Sequence, residues 1–165
     1  MNHLHIAVLR AGIAMAVLFG LFGQIVVIPT AASDEVDRFP PYEPFAVPYA
    51  TAAIVGVACV QVALVATWKL LDMVDHDAIF TPLAFRWVDV IIWSSVVATL
   101  LALGVTGHLA LFGLPSPGDG MELIGALGAA TVSTGAGMAF AMLVLVLRGL
   151  LRKATDLQTE IAEVV

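Results

Sequence analysis

Apolar positions along this chain run on without the regular polar interruption of a helix lying on a soluble core. Residues 11–33, 44–68, 90–118 and 123–147 carry no Asp, Glu, Lys or Arg, and each stretch can cross a hydrocarbon core of about 30 Å, which takes about 20 residues of helix. The pattern predicts an all-α integral membrane protein: a four-helix transmembrane bundle with helices near 8–28, 48–71, 82–112 and 121–147, in a single membrane domain covering 1–165. The first helix is expected to end at Pro29, whose ring opposes continuation. Residues 29–47, with Pro29, Pro40, Pro41 and Pro44, then read as an irregular loop ahead of Pro48. Phe39, Tyr42, Phe45 and Tyr49 suit that loop to a lipid–water interface.

Local signals fix two further boundaries. Thr81 is a good N-cap and Pro82 a good first helical residue, and Phe80 and Phe85 stand at the positions of a hydrophobic staple. Leu114-Pro115-Ser116-Pro117-Gly118-Asp119-Gly120 is turn chemistry before the fourth helix. Beyond Leu147 the pattern changes. Leu150, Ala154, Leu157, Ile161 and Val164 recur at alternating four and three spacing, so residues 148–165 are expected to be an amphipathic cytoplasmic tail helix.

Charge sets the orientation. Arg10, Lys69, Arg86, Arg148, Arg152 and Lys153 fall on one side of the four spans and Arg38 alone on the other. An excess of Lys and Arg marks the cytoplasmic side, so both termini are placed in the cytoplasm and the chain in the plasma (inner) membrane. Arg10 with Thr30-Ala31-Ala32 also fits a cleavable signal peptide. The uncharged run Ala11–Ile28 is 18 residues, longer than the usual h-region of about 7–15, and a retained span is the expectation. At the rim of the third helix, Arg86 and Asp89 are three apart and expected to pair.

Composition agrees and excludes. With 61% hydrophobic and 12% charged residues and a mean hydropathy of +1.01, the chain is far from the roughly 25% charged typical of soluble domains. A net charge of −6 argues against direct nucleic-acid binding, which needs a basic face. The single Cys59 permits no internal disulfide or dithiol chemistry and reads as a small hydrophobe. Haem held by two axial imidazoles is disfavoured because only His108 lies near membrane depth. His76 with Asp72, Asp75 and Asp77 has metal-ligand types but reads as solvated charge. No ionisable residue sits deep in a span, which speaks against proton-coupled transport. Gln24, Gln61, Ser94, Ser95, Ser133 and Thr134 can bond between helices without any such role. No catalytic residue, cofactor or metal is predicted.

Lipid tails are as apolar as Leu, so membrane helices associate where small residues let backbones approach. Gly125, Ala129, Ser133, Gly137 and Ala141 form a row at spacing four, as do Ser94, Ala98, Ala102 and Thr106. Shorter rows are Gly12, Ala16 and Gly20 and, more weakly, Ala52, Gly56, Cys59 and Ala63. These rows are expected to face protein, within one bundle or across a homodimer seam. Leu157, Ile161 and Val164 are the candidate docking stripe for a partner, with packing back on Ile79 and Phe80 as the alternative.

The spacing of the spans, the Phe80-Thr81-Pro82 entry and the tail Ala154-Thr155-Asp156-Leu157-Gln158-Thr159-Glu160-Ile161-Ala162-Glu163-Val164-Val165 resemble a bacterial family of small four-helix membrane proteins, the domain of unknown function numbered 2975. The resemblance implies four spans with cytoplasmic ends. Members of that family are often encoded beside a small helix-turn-helix regulator, which implies membrane tethering of a cytoplasmic partner. The expected role is therefore a non-enzymatic membrane anchor or sensor. The alternative is a small transporter or channel subunit acting as an oligomer.

Overall fold

The computed structural model describes residues 3–75, 81–112 and 120–164. All its regular structure is helical: α1 (His3–Phe22), a π-helical turn (Gly23–Val27), α2 (Ile28–Arg38), a 3₁₀ turn (Pro40–Tyr42), α3 (Glu43–Asp75), α4 (Pro82–Phe112) and α5 (Met121–Val164). Four helical stretches are long and apolar enough to cross a membrane: His5–Arg38, Pro40–Asp75, Leu83–Phe112 and Leu123–Leu157.

The first helix does not stop at Pro29. It continues through a widened turn, in which the Ile28 N–H donates to the Gly23 carbonyl five residues back, and α2 extends to Arg38. A proline ring collides with the carbonyl four residues earlier in a regular α-helix; the π turn shifts that register by one residue and gives Pro29 room at the start of α2. The expected loop over 29–47 is accordingly reduced to Phe39, in extended backbone (φ −142°, ψ 90°), and the 3₁₀ turn after it. α3 begins at Glu43 rather than Pro48. Pro44 lies in its first turn and Pro48 inside the helix, where it removes one backbone bond near an end that water and headgroups can reach. At the other end of the chain no break separates the last span from the tail: α5 is a single helix of 44 residues, about 66 Å at 1.5 Å per residue.

α4 begins at Pro82, with the Ala84 N–H donating to the Thr81 carbonyl at 3.0 Å. The staple residue Phe80 lies outside the described residues. α5 is entered through Gly120, whose φ of +79° is the left-handed conformation that glycine takes without a Cβ clash, and the Gly120 carbonyl accepts the Ile124 N–H.

Packing is serial. α1 leans on α3, α3 packs along α4 and α4 along α5, while the first and last spans share no extensive contact. α4 is thus the central helix. The core lies in its first half, where Val88, Ile91 and Ile92 meet Ala66 of α3 and Val144 of α5. Most other large apolar side chains, such as Phe19, Trp93 and Leu143, are exposed and are the surface that lipid would cover.

Candidate functional site

The two ends of the spans differ in chemistry. At the end holding the amino terminus, Arg10 of α1 places Nη2 3.0 Å from Asp72 Oδ1 and 3.6 Å from Asp75 Oδ2, both on the last turns of α3. Asp72 and Asp75 therefore serve an interhelical ion pair; His76 and Asp77 of the imagined metal cluster lie outside the described residues. On the same rim, Asp89 of α4 takes Arg148 of α5 in a two-pronged grip, Nε to Oδ1 at 2.9 Å and Nη2 to Oδ2 at 3.2 Å. The expected Arg86–Asp89 pair gives way to this one. The planar fork of Arg148 matches both carboxylate oxygens at once, which is a stronger arrangement than a loose pair along one helix. A cleft beside it, of about 400 Å³, is lined by Phe85, Leu145, Gly149, Arg152, Thr155 and Asp156 along with Arg148. Past this rim α5 continues for four more turns. Leu157 is 60% exposed there; Ile161 and Val164 lie in the same helix, with side chains outside those described.

Within the spans, polar side chains bridge the first span and α3 reciprocally. Gln24 Nε2 donates to the Ile54 carbonyl of α3 at 3.0 Å, and Gln61 Nε2 of α3 donates to the Val17 carbonyl of α1 at 3.3 Å. Gly20 makes room for Gln61, whose amide nitrogen lies 2.7 Å from where a Cβ would stand. Between α4 and α5, the hydroxyls of Thr106 and Thr134 are 3.3 Å apart, and Thr99 occupies the space a side chain at Gly137 would need.

The small-residue row of α5 is divided by the structure. Gly137 and Ala141 are half-buried, Gly137 against α4, whereas Gly125, Ala129 and Ser133 are exposed. The reason is geometric: four residues exceed one helical turn of 3.6, so each step rotates the row by about 40° around the helix. From Gly125 to Ala141 it winds through nearly half a turn and cannot keep one neighbour. In α4, Ser94 is buried and Ala98 and Ala102 are half-buried. Ser94, Ala98 and Gly137 also border a groove of about 340 Å³ between α3 and α5, with Cys59, Ala63 and Phe140.

At the opposite end the chemistry is aromatic. The Tyr49 hydroxyl of α3 and Nδ1 of His108 of α4 are 2.8 Å apart, and the His108 ring lies 5.3 Å from Phe112 and 6.0 Å from Phe45 between centroids. Beside this couple is an open cavity of about 640 Å³, bordered by α2, the 3₁₀ turn, the start of α3 and the start of α5. Phe39 and Tyr42, edge to face at 4.9 Å, form part of its wall, and Glu35 and Arg38 stand at its border. Residues 30–165 match the family described as "Protein of unknown function (DUF2975)".

The chain belongs to that family. No curated protein and no solved structure matches it. The DUF2975 match takes in nearly all of α2, the whole of α3, α4 and α5, both ends of the Asp89–Arg148 pair and every wall of the aromatic-end cavity. It leaves α1 and the π turn outside, along with Arg10 and Gln24. Sequence reasoning named Tyr49 and His108 separately but not as a pair, and it missed the cavity, because the loop that it assigned to 29–47 is helix. The signal available for the ion pairs was in plain view: Arg10, Asp89 and Arg148 each border an uncharged run and Asp72 stands three residues past Lys69, which borders another, and opposite signs on adjacent spans at one rim are ready to pair.

Proposed function

We propose that this DUF2975 protein is a non-enzymatic membrane anchor that holds a docking helix in the cytoplasm. The observation that carries the reading is α5. It runs unbroken from Met121 to Val164, is gripped at the rim by Asp89 through Arg148, and projects its last 16 residues about 24 Å beyond that grip at 1.5 Å per residue. A helix fixed at its base presents a preordered surface, so a partner need not supply the cost of ordering it. Leu157, Ile161 and Val164 share one stripe of this helix, flanked by Asp156, Glu160 and Glu163, and an apolar stripe of that kind fits the groove of a cytoplasmic protein or a second copy of itself. A small helix-turn-helix regulator is the partner class the family resemblance suggests. The excess of Lys and Arg at this end supports its placement in the cytoplasm.

Two measurements test the reading. In a chain with Cys59→Ala, a single cysteine introduced at Tyr42 is expected to react with an impermeant thiol reagent on intact cells, and one at Asp156 only after lysis. Deletion of residues 156–165 is expected to leave the folded spans intact and to abolish the partner recovered with the full chain in mild detergent. Loss of the folded spans on deletion would make the tail a structural element and end the docking reading.

A further inference from the structure

The aromatic-end cavity lies at the depth where aromatic side chains meet lipid headgroups, and its walls offer an apolar lining there. About 20 residues of helix cross the hydrocarbon core. Counting that length from the rim charges Arg10, Asp72 and Arg148 sets the far boundary of the core near Thr30, Ala52 and Gly128. Every residue bordering the 640 Å³ cavity lies beyond those three positions. The space therefore sits among headgroups, yet Val36, Phe39, Phe45, Ala46, Tyr49 and Ala126 wall it. Its volume is that of an ordinary small-molecule site, about 300–1,000 Å³.

Its border carries one charge of each sign. Glu35 and Arg38 are three residues apart on α2, 3.6 Å from each other, with 55% and 76% of their side chains exposed, so each keeps donors or acceptors available to a ligand. The opposite rim is different: it holds six of the seven Lys and Arg, interspersed with acidic residues.

We propose that this cavity binds one phospholipid with a zwitterionic ethanolamine headgroup. The phosphate meets the Arg38 guanidinium, the ammonium meets the Glu35 carboxylate, and the glycerol end with the first part of an acyl chain fills the aromatic and alanine wall. The rest of the chain descends along the α3–α5 side of the molecule, where the 340 Å³ groove beside Ala63 and Phe140 lies deeper between the same two helices. An anionic lipid lacks the ammonium and brings a net negative charge against Glu35, so the site discriminates by headgroup.

Native mass spectrometry of the full chain, released from micelles containing phosphatidylethanolamine and phosphatidylglycerol of identical chains in equal amounts, tests this. The expected result is a one-to-one adduct of phosphatidylethanolamine exceeding that of phosphatidylglycerol by about tenfold, equivalent to one decade in Kd. Ala46→Trp, which fills the cavity, is expected to remove this adduct while leaving elution volume and helicity unchanged. If that variant does not fold, Ala126→Phe fills the same space from another helix. Glu35→Gln is expected to erase the headgroup preference without loss of the cavity. Equal retention of the two lipids by the unaltered chain overturns the proposal. So does an ethanolamine-lipid adduct that survives both cavity-filling variants, or a cavity that retains only detergent.

Discussion

Between α4 and α5 the Thr99 side chain lies against Gly137 and apolar side chains close around Val144; between α1 and α3 the contacts are ion pairs and glutamine amides reaching backbone carbonyls. Both interfaces join apolar helices and both carry polar bridges, but only the first is also closely packed. In lipid there is no hydrophobic gain from hiding one apolar helix against another, so close contact and hydrogen bonding are what remain. The α3–α4–α5 part adds close contact to its polar bridges, Asp89–Arg148, Thr106–Thr134 and Tyr49–His108. The α1–α2 arm uses directional bonds at a few points along an otherwise thin seam. Such bonds contribute on average about 0.6 kcal/mol each in a membrane bundle, whereas packing errors at a tight crossing cost about 1–3 kcal/mol. The arm should therefore be the part that lets go first.

The largest expected effect is at the tight crossing. Gly137→Leu is expected to lower stability in detergent by about 1–3 kcal/mol, and Val146→Leu, at a position 61% exposed, to change it little. Thermal unfolding followed by circular dichroism compares the two, and equal midpoints would remove the packing argument. Next comes the arm's ion pair. Arg10→Gln is expected to open α1 to protease while α3, α4 and α5 remain protected. Its cost is about 0–1 kcal/mol because the partners are partly exposed, and uniform protection throughout would show that α1 is held by packing after all. Gln61→Leu is expected to cost about 0.6 kcal/mol through loss of its bond to the Val17 carbonyl, measurable by steric trapping or unfolding in mixed micelles. The smallest effect separates the two kinds of glycine. Gly20→Ala meets the Gln61 amide nitrogen, which can turn away only by giving up its bond to the Val17 carbonyl, so a loss of about 0.6 kcal/mol is expected. Gly137→Ala meets the stiff β-branched Thr99 and should lose clearly more. Equal losses would erase the distinction between the interfaces.

The count of helices and the start of α4 were legible because length without charge and the Thr81-Pro82 pair act locally. What sequence could not supply was the fate of a local signal in a longer context. Pro29 is a helix breaker on its own; five residues of π turn before it make it the beginning of another segment. The row from Gly125 to Ala141 looks like one face on paper and winds around the helix in space. Asp89 had two possible arginines, and the nearer in sequence was the weaker match because only Arg148 presents its fork squarely to both oxygens. The cavity depends on α2 being helical and was hidden by the loop assignment; the Tyr49–His108 couple joins two expected helices, α3 and α4, and depends on how they pack, which no local signal carries.

The unbroken course of α5 has a mechanical consequence. With Arg148 pinned to Asp89, the helix is a lever whose pivot lies at the rim, with an arm of about 40 Å toward Met121 and one of about 24 Å toward Val164 at 1.5 Å per residue. The longer arm is held against α4 at Gly137 and Val144, so the tail swings only when α4 and α5 tilt together.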